Sequence, residues 1–197
     1  MAIISDPRRA LIIVDVQEDF VEGGSLAVAG GRELADNIAS RFLTDSYFYD
    51  LIITTQDWHI NPGSHFSDEP DFVNSWPVHC RAETEGARIL PVIEDRLKSL
   101  EVKRESILKG QFEDAYSGFM GKNLKGESTE SILKANEITF VDVVGIAGNY
   151  CVKSTAIDSA NAGFTTRVLK DYTAWIPNGT EGSALKELQD ANVEVLG

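Results

Sequence analysis

The sequence has little of several features that define specialised classes of protein. It holds only two cysteines, Cys80 and Cys151, which are too few for a disulfide framework. No apolar run approaches the ~18 residues that indicate a membrane-spanning helix. The N-terminus lacks a basic segment followed by a long apolar one, so no signal peptide is recognised. Together these absences predict a cytoplasmic protein with reduced thiols.

Positive charge is also scarce. Eighteen Lys and Arg residues face 31 Asp and Glu residues, which gives a formal net charge of −13. Such an acidic chain is not expected to bind nucleic acid or an anionic membrane surface, whereas a small substrate remains possible. The composition, 43% hydrophobic and 25% charged, is typical of globular proteins. No internal repeat or low-complexity segment is recognised, and we expect residues 1–197 to form one domain.

Short β-branched segments alternate with segments of helical periodicity along the chain. Strands are predicted at 10–15, 51–55, 102–108, 138–146, 166–169 and 193–196. Helices are predicted around 34–42, 89–100, 128–136, 152–163 and 184–188. This order predicts a three-layer α/β/α fold with a central, six-stranded, mostly parallel sheet.

Four chemically capable side chains follow the ends of the first four predicted strands. They are Asp15, Asp57, Lys109 and Cys151. Each one alone could be a turn residue, a helix cap or a solvated charge. Because ligands of doubly wound sheets bind beyond the carboxyl ends of the strands, four such residues together predict one shared site.

Cys151 is the candidate nucleophile of that site. It follows a tight Gly-Ile-Ala-Gly-Asn turn and stands in the first turn of a predicted helix, where the helix dipole and free N–H groups would favour the thiolate and hold an oxyanion. Asp15 would act as general base, and Lys109 would stabilise the negative charges. Two plainer interpretations remain: Cys151 is a small core residue, or Asp15 and Lys109 form an ion pair that only packs the strand ends.

All three histidines lie close together in the sequence. His59, His65 and His79 follow Asp57, and the spacing of Asp57 and His59 puts both on one face of an extended segment. Three imidazoles and a carboxylate suit Zn²⁺, Fe²⁺ or Mn²⁺, although surface histidines in a loop are also common. We expect Cys80, which points away from His79, to be structural.

Aromatic residues accompany these candidates. Phe20, Trp76 and Tyr116 could hold a flat ring by stacking, or could simply pack the core or a loop. Residues 60–86 form a long predicted loop, and its aromatics Phe66, Phe72 and Trp76 favour an ordered one. A metal that orients a ring nitrogen beside a thiol that attacks an amide would use all of these groups.

The motifs resemble those of the nicotinamidase/pyrazinamidase family within the isochorismatase-like hydrolases. The similarity runs through LIIVDVQEDF, DWHINPGSHF, SWPVHC, LKGQFEDAYSGF, VVGIAGNYCV and RVLKDYTAW. The Asp, Lys and Cys motifs mark the superfamily, and the histidine set with Trp-Pro-x-His-Cys marks the nicotinamidase branch. The resemblance therefore covers almost the whole chain and implies an isochorismatase-like fold.

The resemblance also implies a role for each candidate residue. Asp15, Lys109 and Cys151 would form the catalytic triad, and the N–H groups of Ala147 and Cys151 the oxyanion hole after a cis peptide bond before Ala147. One divalent metal per chain, zinc first, with iron or manganese as alternatives, would bind Asp57, His59, His65 and His79, with His65 the least certain direct ligand. Phe20, Trp76 and Tyr116 would wall the substrate pocket.

The implied reaction converts nicotinamide and water to nicotinate and ammonia through a cysteine thioester, as in NAD salvage and pyridine nucleotide biosynthesis. Water near the metal or Asp15 would cleave the thioester, and pyrazinamide would also be a substrate. The family forms monomers and homo-oligomers, and the sequence does not distinguish them.

One departure from the family pattern could alter activity or specificity, and it favours a non-catalytic protein among the alternatives. Gly148 and Asn149 replace a frequent Thr-Asp pair, and we expect Asn149 still to cap the following helix. Three alternatives remain: an amidase for another small amide, a metal-hydroxide hydrolase in which Cys151 is silent, and a non-catalytic metal- or ligand-binding protein.

Overall fold

The computed structural model describes residues 6–197, with the backbone alone for residues 45–47. Its strands are β1 Arg9–Val14, β2 Leu51–Asp57, β3 Lys103–Lys109, β4 Phe140–Ile146, β5 Thr165–Ala174 and β6 Glu194–Leu196. Its α-helices are α1 Gly31–Ser40, α2 Pro91–Lys98, α3 Thr129–Ala135, α4 Lys153–Asn161 and α5 Glu181–Asp190. Within the described part of the chain, no helix combines the length and the apolar character needed to span a bilayer.

The six strands form one sheet in the order β3-β2-β1-β4-β5-β6, and every neighbouring pair is parallel. Strand β1 is buried on both faces because its alternate side chains enter two different cores. Leu11 and Ile13 pack with α1 and α2, whereas Ile12 and Val14 pack with α3, α4 and α5. The predicted three-layer α/β/α fold is confirmed.

Three local predictions differ from the structure. Helix α1 ends at Ser40, and Phe42–Phe48 forms a separate 3₁₀ helix. Strand β5 continues to Ala174, well past the predicted end at Leu169, because Thr173 and Ala174 pair with β4 after an irregularity in the register. The turn Gly148–Val152 is π-helical, so Cys151 precedes α4 instead of lying in its first turn.

The chain turns to opposite sides of the sheet from its centre, where β1 lies between β2 and β4. This is the topological switch point at which such sheets bind ligands. Gly145, near the end of β4, has a φ of 119°, and a Cβ there would lie 2.2 Å from the carbonyl oxygen of Val14. Glycine therefore allows the ends of β1 and β4 to approach each other, which brings the residues that follow both strands together.

Candidate active site and metal centre

The strand ends bring Asp15, Lys109 and Cys151 into one buried group. The Lys109 Nζ lies 2.9 Å from Asp15 Oδ2 and 3.7 Å from Cys151 Sγ. It also contacts Asp57 Oδ1 and donates to the carbonyl oxygen of Ala115 at 2.9 Å. One ammonium group thus joins the candidate triad to a candidate metal ligand.

Burial and charge act against each other in this group. Burial disfavours the ammonium form of Lys109, but the carboxylates of Asp15 and Asp57 raise its pKa well above the usual value. Burial raises the pKa of Asp15, and Lys109 only partly offsets that effect. Asp15 also accepts a hydrogen bond from Thr55 Oγ1 at 2.6 Å. A carboxylate whose proton affinity is raised in this way is suited to accept a proton from a thiol.

The Cys151 thiol is buried beside these charges. Burial raises its pKa well above the ordinary value, and the negative charges of Asp15 and Asp57 add to the effect while Lys109 opposes it. This direction is opposite to the expectation that the turn would favour a resting thiolate, and burial is its largest cause. A thiol in this environment would need a base in order to attack, and Asp15, with a carboxylate oxygen within 4.8 Å of the Cys151 Sγ, is the candidate for that role.

The turn before Cys151 has the backbone that the resemblance implies. The peptide bond between Ile146 and Ala147 is cis. The Ala147 carbonyl oxygen accepts hydrogen bonds from the N–H groups of Tyr150 and Val152, at 3.0 and 3.1 Å. These bonds close the π-helical turn that carries the thiol.

Three histidines converge next to the triad. Potential ligand atoms of His59, His65 and His79 all lie within 4.8 Å of one another. The Asp57 Oδ2 lies 3.7 Å from the Nε2 of His59 and 3.9 Å from the Nε2 of His79. Cys80 lies outside this group and packs in the core, with its Sγ 3.8 Å from the carbonyl oxygen of Gly86. Its structural role is as predicted.

The hydrogen bonds of the imidazoles leave lone pairs for a cation. The Nδ1 of His59 donates to Gly110 O at 2.6 Å, and the Nδ1 of His79 donates to Pro77 O at 2.8 Å. Both rings therefore present an unprotonated Nε2. Within the described part of the chain, His59 Nε2 and His65 Nδ1 are buried without a hydrogen-bond partner. Burial lowers the pKa of His65 to about 4, which favours a neutral ring.

This donor set fits a divalent metal ion. Buried polar atoms normally have a partner, and neutral imidazoles beside a carboxylate are the groups that Zn²⁺ and similar ions take. The structure thus brings together the four residues predicted as metal ligands, and the resulting site is continuous with the candidate triad.

A cavity of about 490 Å³ opens beside both groups. Cys151, Asp57, His65 and His79 reach its surface. The three aromatic residues predicted to wall a pocket, Phe20, Trp76 and Tyr116, all line it, and Trp76 Nε1 donates to the Tyr116 hydroxyl at 3.0 Å. The cavity can hold a flat ring against aromatic walls with a reacting group near the thiol.

Further lining residues were not recognised in the sequence. Tyr150 could have been recognised from the sequence, because it directly precedes the candidate nucleophile Cys151. Phe72 lines the mouth and packs edge-on against Trp76, with ring centroids 6.1 Å apart. Residues 26–29 and 176–178 come from segments distant in sequence, and no motif marked them.

Asn149 does not cap a helix, so that prediction is wrong. The residue before the π-helical turn is Ala147, and Asn149 lies inside the turn. Its side-chain amide instead forms hydrogen bonds with residues 176–180. The side chain therefore joins the nucleophile turn to a lining segment of the cavity.

The fold is that of an α/β/α hydrolase, and the candidate site lies at the switch point of its parallel sheet. The isochorismatase domain matches residues 9–197, and the chain belongs to the isochorismatase family. It is 45% identical over 188 residues to the nicotinamidase/pyrazinamidase of Mycobacterium tuberculosis, with 95% of this chain and 98% of that protein covered.

Two solved structures are also similar. The yeast nicotinamidase bound to the inhibitor nicotinaldehyde has a TM-score of 0.78 and 28% identity, covering 95% of this chain and 99% of that one. The Pyrococcus horikoshii pyrazinamidase in complex with zinc has a TM-score of 0.74 and 30% identity, covering 96% and 99%. These similarities agree with the resemblance in the motifs.

Proposed function

We propose that this protein is a nicotinamidase, an amidohydrolase that converts nicotinamide and water to nicotinate and ammonia. One observation carries the proposal: a single aromatic-walled cavity is bordered by the buried thiol and by the histidine group. The names of the similar proteins support the same substrate. Pyrazinamide, whose ring and amide are nearly isosteric with those of nicotinamide, would also be hydrolysed.

In the first half of the reaction, Cys151 Sγ attacks the amide carbonyl carbon. Asp15 Oδ2 takes the thiol proton and later gives it to the departing nitrogen, so that ammonia leaves and a thioester remains. Lys109 stays charged between Asp15 and Asp57, and it stabilises the carboxylate and the developing thiolate.

The carbonyl oxygen of the substrate becomes negatively charged during this attack. We assign its stabilisation to the backbone N–H groups of Ala147 and Cys151, which belong to the turn that carries the nucleophile. In the second half, Asp15 removes a proton from a water molecule as it attacks the thioester. The C–S bond of the thioester then breaks, Asp15 returns the proton to the departing Cys151 Sγ, and the product leaves as nicotinic acid, which ionises to nicotinate.

One divalent metal ion would be held by Asp57, His59, His65 and His79, and we propose zinc as that ion. Imidazole and carboxylate donors suit zinc, and the similar pyrazinamidase was crystallised in complex with it. When bound, the ion supplies a Lewis acid that can polarise and orient a ring nitrogen lone pair. The phenyl analogue benzamide, which lacks that nitrogen, should be a poor substrate.

The physiological setting is part of the proposal. We infer a small-molecule partner, one catalytic domain and a role in NAD salvage. A thiol nucleophile remains reduced in the cytoplasm, and we therefore place the activity there.

The first test is ammonia release from nicotinamide by the zinc-loaded protein. The parent should release ammonia, and Cys151→Ala should lose at least about a thousandfold in kcat because no other group can form the thioester. Cys80→Ala is the matched control, since it removes the other thiol, and it should retain turnover. Ammonia release by folded Cys151→Ala at the parental rate would contradict the covalent mechanism.

A further inference from the structure

The Asn149 side chain forms several hydrogen bonds close to Cys151, yet it does not line the cavity. It lies two residues before Cys151 and is only 3% exposed. It faces residues 176–180, which we call the wall segment because Ile176, Pro177 and Asn178 line the cavity. The side chain thus lies between the nucleophile turn and a substrate-facing surface.

The Asn149 amide bonds to the wall segment with both its donor and its acceptor groups. Its Nδ2 lies within hydrogen-bond distance of Ile176 O at 3.0 Å, Thr180 Oγ1 at 2.9 Å and Asn178 Oδ1 at 3.3 Å. Its Oδ1 accepts from the Ile176 N–H at 2.8 Å. The pair of bonds to Ile176 matches the way two peptide groups pair in a sheet, and it fixes the backbone where the wall segment begins.

The wall segment in turn holds an aromatic ring of the cavity. Asn178 Nδ2 donates to the Tyr150 hydroxyl at 3.0 Å. The Tyr150 ring stacks on Tyr116 at 6.2 Å between centroids and packs edge-on against Trp76 at 5.3 Å. Contacts therefore run without a break from Asn149 through Asn178 and Tyr150 to two of the predicted substrate walls.

An amide satisfies this position, whereas a carboxylate does not. A carboxylate at residue 149 has no hydrogen to donate, and it would face the Ile176 carbonyl oxygen and leave buried acceptors unpaired. The neighbouring residue is matched in a similar way, because a Cβ at Gly148 would lie 2.3 Å from the Trp175 indole. The Gly148-Asn149 pair therefore fits sterically against Trp175 and by hydrogen bonds against the wall segment that follows it.

We propose that Asn149 is a positioning residue that locks the wall segment to the nucleophile turn and so sets the affinity for the heteroaromatic ring. This inference rests on the proposed nicotinamidase function. Asn149 acts on the ring through Ile176, Asn178 and Tyr150, and it does not take part in proton transfer. Its loss weakens the binding of substrate and transition state alike, and the predicted signature is a change in KM with kcat preserved.

The first experiment compares Asn149→Asp with the parent on nicotinamide. The isosteric substitution removes the donors but keeps the shape, and we expect KM to rise about tenfold while kcat stays within about threefold. Asn161→Asp is the matched control, because it makes the same change at an exposed position of α4. The control should leave KM unchanged. An Asn149→Asp variant with the parental KM would overturn the proposal.

A second pair of variants tests the route through the wall segment. Thr180→Val removes one acceptor of the Asn149 amide while leaving the nucleophile turn intact, and it should raise KM by itself even if Asn149→Asp folds poorly. If both act through one lock, the double variant should have a KM close to that of the more affected single variant. Fold-changes that multiply would show independent actions and would contradict the proposal.

Two further measurements distinguish the positioning role of Asn149 from damage to the nucleophile turn and from an incorrect choice of substrate. Alkylation of Cys151 by iodoacetamide should proceed at the parental rate in Asn149→Asp, and a large change would place the effect on the nucleophile instead.

In a Cys151→Ala background, calorimetry should show nicotinamide binding that Asn149→Asp weakens about tenfold. If the parent background does not bind nicotinamide, the proposed function fails. If it binds and Asn149→Asp binds equally well, the positioning role fails.

Discussion

Gly148 shows how a single missing side chain shapes the surroundings of the proposed nucleophile, Cys151. A Cβ there would meet the Trp175 ring at 2.3 Å from Cδ2 and 2.6 Å from Cε2. Because the indole packs where a Cβ would lie, the glycine is a steric requirement of this chain. The departure from the frequent Thr-Asp pattern is thus compensated inside the same molecule.

We predict that Gly148→Thr destabilises the protein by about 1–3 kcal/mol through overpacking. Urea denaturation measures this change. Gly182→Thr, at a position where a Cβ meets nothing within 4 Å, is the control and should cost less. In the double variant Gly148→Thr/Trp175→Ala the indole no longer obstructs the threonine, so its loss should be smaller than the sum of the two single losses. Strict additivity would show that the two residues do not compete for space.

One buried glutamine in the loop after β1, Gln17, forms hydrogen bonds with the end of β2. Gln17 Oε1 accepts from the Asp57 N–H at 2.9 Å, and its Nε2 donates to Asp57 O at 2.9 Å and Ala87 O at 2.8 Å. The Gln17 side chain is fully buried, so water does not compete for these hydrogen bonds. The loop after β1, which carries the proposed base Asp15, therefore also orients the backbone of the proposed metal ligand Asp57 through Gln17.

We predict that Gln17→Met raises the zinc dissociation constant by about 10–100-fold, the usual effect of losing a group that orients a metal ligand. Competition with a chromophoric chelator measures this constant. Gln56→Met is a matched control, because Gln56 also donates to Ala87 O at 2.8 Å but does not hold the Asp57 peptide group. Equal weakening in both variants would indicate general loosening of β2 instead of positioning of Asp57.

On the scale of the whole molecule, the three histidines lie in the long connection between β2 and α2 and meet at the end of β2. His59 follows β2, whereas His65 and His79 lie in the segment before α2. That segment is ordered by contacts such as the bridge between Phe66 and Trp76. A bound ion would join His65 and His79 of this segment to His59 and hold the segment close to the end of β2.

We predict that zinc raises the Tm by roughly 8–16 °C when the free ion is about 1,000 times its dissociation constant, because the ion binds the folded state alone. A chelator should reverse the shift in a thermal denaturation scan. His79→Ala should lose most of it, and Cys151→Ala should keep it. A shift that survives in His79→Ala would mean that zinc binds elsewhere.

Local patterns were sufficient for the fold and for most of the candidate site. The β-branched segments predicted all six strands, and their alternation with helices predicted the parallel sheet. Because parallel strands align their carboxyl ends, the positions of Asp15, Asp57, Lys109 and Cys151 along the sequence already predicted that they would meet. Strand β5 was underestimated, since Lys170 and Asp171 interrupt its apolar pattern and only pairing with β4 extends it.

The sequence by itself determined the type of fold, the residues at the strand ends and the grouping of the histidines, because each depends on spacing along a short segment. Only the tertiary structure decided the remainder. The wall segment of the cavity, the partners of Asn149 and the raised pKa of Cys151 depend on contacts between groups that are many residues apart in sequence. Burial, steric fit and hydrogen bonding between such groups depend on their three-dimensional arrangement, which no local pattern records.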